Sequence, residues 1–295
     1  MKQPGRKIPQ DSAPSVNLPI GNVGVDGYKT PIKLAFGGKL TESIATVSVS
    51  VDLPAGMRGA HFSSMLGPVI SEIGKPVEET FEMVRRIARL VLKNNPYSNH
   101  AVVGIEATYL RQFVANNEMK SYIPYKIEYS SRSGSDGTET NSFTLGTTIF
   151  TACPCTMEGT RSILAERYPD QAEFLNKIPS FTHSQRNRLS VTISNFRNYV
   201  PEPDKIIELI ESVSGGPLAS VQTDRESDLF VLRGHENPLF VEDVARDMAK
   251  AICKGIDKLD GDAIIRIVSR SEESLHNHDA FAQIETTAGE IRKYS

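Results

Sequence analysis

Residues 151–161, TACPCTMEGTR, set two of the chain's three cysteines two positions apart around a proline, and FTHSQRNR at 181–188 adds a histidine. Thiolate and imidazole together suit zinc or ferrous iron. Cys153 and Cys155 follow a strand-like stretch, and Pro154 stiffens the turn between them. Neighbours at i and i+2 are awkwardly placed for a disulfide. Three cysteines exclude a four-cysteine zinc site. Two readings stay open: semi-buried thiols in a turn, or a mixed site of one cysteine, a histidine and a carboxylate.

The other ionisable residues fall into short groups. His61 lies in MRGAHFSS, His235 in LRGHENPLFVED, and His276 and His278 in EESLHNHDA. His100 follows a turn and reads as an ordinary satisfied polar residue. Glu273, His276, His278 and Asp279 crowd between two strand patterns, as an acid/base cluster or a structural hydrogen-bond network would. Glu242 and Asp243 stand early in a helical pattern, where acids ordinarily complement the dipole. Arg58, Arg186 and Arg188 sit in turns or strand starts, and the polar density of HSQRNR suggests anion recognition.

These residues need a scaffold, and the hydrophobic periods outline one. Alternation at 43–52 predicts a strand. A helical pattern opens at Pro76 and runs through 76–95, with acids first and bases last. Strands are expected at 101–113, 122–130 and 141–151. The second half repeats the order: a strand at 188–195, helices at about 203–213 and 238–258, then strands at 262–270 and 279–286. The fold class is therefore α+β, antiparallel sheets with helices on one face, as two similar modules in tandem. Residues 1–20 read as a polar arm, 21–151 as the first module and 152–295 as the second, with the connection near 152–186. Exposed sheet edges favour an oligomer.

Composition excludes several classes. The 295 residues are 39% hydrophobic and 23% charged, with a formal net charge of −3, so a nucleic-acid-coating role has no electrostatic support. Apolar runs such as AVVGI at 101–105 are too short to span a membrane. The first residues lack the apolar segment of a signal peptide. An odd, unpatterned set of cysteines points to a reducing cytoplasm.

Taken together, CPC at 153–155, THSQR at 182–186, HENPLFVEDVARD at 235–247 and EESLHNHDAFAQI at 272–284 resemble the type IB GTP cyclohydrolase family, and RGAHFS at 58–63 resembles a further segment of it. The long, helical-looking stretch between CPC and THSQR is similar to the archaeal branch. The resemblance implies two tunnelling-fold (T-fold) modules per chain, a homotetramer, and GTP as substrate. The implied reaction opens the guanine imidazole ring at C8, releases formate and closes a dihydropterin. In the archaeal branch the implied product is 7,8-dihydroneopterin 2′,3′-cyclic phosphate, for tetrahydromethanopterin-type pterins; in the bacterial branch it is dihydroneopterin triphosphate, for folate. One divalent metal per subunit is implied, Fe(II) first, with zinc or manganese as alternatives. Its ligands by this resemblance are Cys153, His183 and Glu226; the family's glutamate aligns on Ser227, one place from Glu226, with Asp228 as fallback. Glu273 and His276 match the acid/base pair, Glu242 matches the guanine anchor, and His61 and Arg186 are implied triphosphate contacts.

Overall fold

The computed structural model describes residues 9–36, 39–75, 79–197, 199–216 and 218–294. In chain order the first elements are β1 (Ile20–Phe36), β2 (Lys39–Leu53), α1 (Phe62–Ile73), α2 (Thr80–Asn94), β3 (His100–Val114), β4 (Lys120–Gly134) and β5 (Glu139–Ala152). Then come α3 (Pro154–Arg167), α4 (Ala172–Leu175), β6 (Ser184–Ser194), α5 (Pro203–Ser214), α6 (Asp224–Glu236) and α7 (Val241–Gly255). β7 (Ile264–Ser271), β8 (Ala280–Thr287) and α8 (Ala288–Arg292) complete the order. The strands neighbour one another in chain order in an antiparallel sheet. By contact the chain divides into two compact units that interleave in sequence: Met1–Thr108 with Ile127–Phe143, and Tyr109–Lys126 with Thr144–Ser295.

In the first unit β2 pairs with both β1 and β3. Its Ala45, Val47, Val49, Val51 and Leu53 are all buried, the two-residue period of a strand with one covered face. β1 carries glycines and a proline, and its pattern does not read as a strand. It is nonetheless an edge strand, where Pro31 is tolerated. Gly24 lies so close to the Val49 carbonyl that no side chain would fit there. α2 buries Phe81, Val84, Ile87, Ala88 and Val91, with Glu82 in its first turn and Lys93 in its last. The expected opening at Pro76 falls outside the described residues, and the helix runs from Thr80. α1 packs on α2. Buried Glu72 of α1 pairs with Lys75 at 2.5 Å and with Arg86 of α2.

In the second unit α7 buries Val241, Val244, Ala245, Met248, Ala249, Ile252 and Cys253, the apolar stripe of a helix laid on a sheet. It packs on β7, β8 and α5. The stretch read as a connection, 152–186, holds α3, a 3-10 turn at Pro169–Gln171 and α4. The polar DRESD stretch opens α6, whose Gly234 lies against the Phe150 ring of β5. Tyr109 and Arg111, at the far end of β3, bond to Asp204 at 2.8 Å and Glu211 at 2.6 Å on α5. No described helix is long and apolar enough to cross a membrane.

Candidate active site

The ends of β5 and β6 are clasped where the cysteine and histidine motifs lie. The Cys153 N–H donates to the His183 carbonyl at 3.1 Å, and the Thr182 hydroxyl donates to the Cys153 carbonyl at 2.7 Å. Pro154 takes the first position of α3, where a missing N–H is harmless, so β5 turns directly into the helix with Cys153 as N-cap. The Cys153 thiol makes no capping hydrogen bond and is half-buried, while Cys155 is exposed. The Leu239 N–H donates to the Ala152 carbonyl at 3.1 Å, tying the approach to α7 to the same strand end.

His183 is held from the β7–β8 loop. Its imidazole is 11% exposed, with Nδ1 at 3.0 Å from Ser274 Oγ and 4.0 Å from Glu273 Oε2. In the tautomer with Nδ1 protonated, the ring donates to Ser274 and leaves the Nε2 lone pair for a cation. The Glu273 carboxylate, 12% exposed, accepts from Gln185 Nε2 at 3.5 Å. This meeting follows from strand register. Asn187 stands opposite Ser271, and the Glu272 N–H donates to the Arg186 carbonyl at 2.9 Å, which carries the ladder one pair further and sets Gln185 opposite Glu273.

The covered face of these strands changes character along its length. Val191, Ile193, Ile265 and Ile267 are apolar and buried; towards the site come Asn187, Ser269 and Ser271, equally buried, and then Gln185, Glu273 and His183. Asn187 Nδ2 donates to Ser269 Oγ at 2.9 Å. Thr151 Oγ1, Gln185 Oε1 and Ser271 Oγ are buried and make no hydrogen bond. A buried polar atom left unpaired costs about 1–3 kcal/mol, so three at one strand end mark a place fitted for something polar.

The structure therefore gathers Cys153, His183 and Glu273 at one end of the second unit. The remaining candidates lie elsewhere or engage otherwise. His276 and His278 are exposed and stack on each other, centroids 5.3 Å apart and planes 14° apart. Arg186 is exposed on the uncovered face of β6. Glu242 is exposed in the first turn of α7, where its neighbour Asp243 accepts from the Phe240 N–H at 3.1 Å. Glu226 sits in the capping box of α6: one oxygen accepts from the Thr223 N–H at 2.7 Å and the Thr223 hydroxyl at 2.8 Å, the other from the Asn116 N–H at 2.9 Å. These bonds hold its carboxyl below the usual range, against burial that pushes it up; the Thr223 N–H contributes most. His61 belongs to the first unit, at the N-cap of α1, with Nε2 at 2.7 Å from Asp11 Oδ1. His235 lies on α6 with Nδ1 at 2.8 Å from the Val231 carbonyl.

Among the described residues no three His, Cys, Asp or Glu side chains gather closely enough to hold a metal ion. Cys153 and His183 nonetheless fit as two ligands of one. The thiol is not spent as a cap, and the imidazole is oriented through its other nitrogen, as ligating histidines are. Ser274, Gln185 and Thr182 have parts in this site that motif reading does not assign. The available signal is the polar alternation His183, Gln185, Asn187 along a strand whose other covered residues are apolar.

The sequence profile described as type I GTP cyclohydrolase folE2 matches residues 9–282. The chain belongs to this family. Among relatives of this GTP cyclohydrolase family member, GTP cyclohydrolase MptA of Thermoplasma acidophilum is 30% identical over 286 residues, covering 96% of each chain. MptA of Thermoplasma volcanium is 31% identical over 285 residues, with the same coverage. MptA 2 of Methanocella arvoryzae is 31% identical over 300 residues, again 96% of each. Among solved structures, uricase from Arthrobacter globiformis superposes with a TM-score of 0.56 over 90% of this chain and 93% of its own, at 8% identity. Uricase from Bacillus fastidious gives 0.50 over 92% and 95%, at 7% identity. At such identity these structures share the fold and nothing more is drawn from them.

Proposed function

We propose that the protein is a GTP cyclohydrolase of the type IB branch, built from two tunnelling-fold modules and assembled as a cytoplasmic homotetramer. It opens the guanine imidazole ring of GTP, releases formate and forms 7,8-dihydroneopterin 2′,3′-cyclic phosphate; dihydroneopterin triphosphate is the alternative product. The family match supports the reaction class, and the MptA relatives support the archaeal branch, from which the cyclic-phosphate product is inferred. The observation that carries the residue assignment is the clustering of Cys153, His183 and Glu273 at one strand end.

Cys153 and His183, joined by Glu226 from the first turn of α6, would hold one divalent metal per subunit, Fe(II) in preference to zinc or manganese. When bound, the metal supplies Lewis acidity at a carbon too weakly electrophilic for neutral water. The protein's own groups do the rest. Glu242 accepts from guanine N1–H and the 2-amino group, which adenine cannot offer together. Glu273, kept from bulk water beside His183, holds and returns a proton as the ring C–N bonds break. His276, three residues on in the exposed loop, exchanges that proton with the leaving nitrogen. Arg186 and His61 bind the triphosphate.

Anaerobic incubation with GTP and Fe(II), followed by mass analysis of the pterin and assay of formate, tests the reading. One formate per pterin, with the mass of the cyclic phosphate, is expected. The triphosphate mass would select the alternative product. Absence of formate with Fe(II), zinc and manganese alike would remove the proposal.

A further inference from the structure

We infer that Gln185 is a positioning residue for this reaction, holding the Glu273 carboxylate against His183. The inference deepens the cyclohydrolase reading, since its kinetic part rests on Glu273 acting on the substrate. Its structural part stands on strand register. Gln185 stands opposite Glu273, two residues past the end of β7, and its Nε2 donates to Glu273 Oε1 at 3.5 Å while Glu273 Oε2 stands 4.0 Å from His183 Nδ1. On its other side, the Cys153–His183 backbone bond and the 2.9 Å contact between the Thr144 and Thr192 hydroxyls fix one antiparallel register for β5 and β6. In that register Thr151 is opposite Gln185, on the covered face. Directly opposite residues on one face have Cβ atoms about 4.5–5.5 Å apart, within reach of a rotating hydroxyl.

Thr151 is 4% exposed with Oγ1 unpartnered, and Gln185 Oε1 is buried and unpartnered as well. As the side chains stand neither atom makes a hydrogen bond; a turn of Thr151 about χ1 would let its hydroxyl donate to the glutamine carbonyl, an arrangement that favours the amide NH₂ facing Glu273. A reversed amide would set its oxygen against the carboxylate. Thr151, Gln185 and Glu273 thus stand in one row across the ends of β5, β6 and β7, with His183 two residues before Gln185 on the same face, and Gln185 is the link that aims the carboxylate. Nothing on the uncovered face reaches these groups: Ser184, Arg186 and Arg188 point the other way, to solvent.

The test uses the full-length protein. Gln185→Met fills nearly the same volume without hydrogen bonds, and Gln185→Asn keeps the amide but withdraws it by one methylene; melting curves confirm that each variant folds. Both are expected to lower kcat by about 10²-fold, the effect of a misplaced reacting group. KM for GTP should stay within about threefold, because no ground-state contact is removed. Crystal structures of wild type and Gln185→Met in one crystal form should show the carboxylate turned away from His183 in the variant. A methionine variant that keeps kcat within about twofold of wild type, or a rise in KM alone, overturns the positioning role. So does an unmoved Glu273 in the paired structures, whatever the kinetics. A wild type that releases no formate from GTP removes the functional reading instead, and the paired structures then decide the geometry by themselves.

Discussion

Cys153 and Cys155 differ by two positions and by almost everything else. Cys153 stands at the N-cap of α3 with a half-buried thiol that makes no capping bond, and its backbone is bonded on both sides to the His183 segment; Cys155 points from the first turn into solvent. Cys153→Ala should therefore remove most activity and lower the metal retained after purification, whereas Cys155→Ala should keep both. Metal analysis of the two variants beside turnover checks this, and equal near-wild-type activity would sink the thiolate assignment. A second contrast separates His183 from His276. His183 is pinned between Ser274 and Glu273, so His183→Ala should lose metal together with activity, since a three-ligand site does not spare one easily. His276 stacks on His278 in the open, and His276→Ala should keep its metal while turnover falls by about 10²–10⁴-fold. The same two measurements on His278→Ala show which ring of the stack takes part; a fully active His276→Ala would end the proton-transfer role assigned to it.

At the scale of elements, the first turn of α6 has two demands on one carboxylate. Glu226 closes the capping box with Thr223 and also binds the Asn116 N–H, yet it is the proposed third metal ligand. Glutamine closes a capping box nearly as well as glutamate but is a much poorer ligand for a divalent cation. Glu226→Gln keeps one acceptor for Thr223 but sets an NH₂ against the Asn116 N–H, so it is expected to melt about 2–4 °C below wild type, the effect of losing about 1 kcal/mol. Its metal content should drop as well. A variant that keeps its metal shows that capping is the whole task of this residue, and Ser227 or Asp228 becomes the next ligand to test. The same helix explains a glycine: Gly234 has no room for a side chain, because the Phe150 ring of β5 already occupies it. That close approach puts α6 against the strand that leads into Cys153.

At the scale of the whole molecule, the two compact units are not cut from the chain at one point. β3, β4 and β5 each give residues to both. A fragment of residues 152–295 would lack β5, the partner of β6, and would lose the Tyr109–Asp204 and Arg111–Glu211 bonds that fasten α5. Such a fragment is expected to be unfolded or aggregated, as an uncovered strand edge beside a half-exposed core would dictate. Amide shift dispersion in its NMR spectrum decides the matter, and a well-dispersed spectrum would refute the expectation. Features that depend on neighbours along the chain were legible before folding. The two-residue period of β2, the helical stripes of α2 and α7, the rigid Cys-Pro-Cys turn and the family resemblance all rest on local order; the folded chain keeps the period and the two stripes, while Cys-Pro-Cys opens the helix α3 rather than a turn. β1 escaped that reading because an edge strand tolerates the glycines and proline that elsewhere signal a loop. Which polar groups meet depended on how the chain packs. Gln185 finds Glu273, 88 residues away, through the register of β6 with β7. Asp243 rather than Glu242 caps the start of α7, and Glu226 is engaged in the cap of α6. Those pairings are set by strand register and helix docking, which bring together side chains that no spacing in the sequence relates.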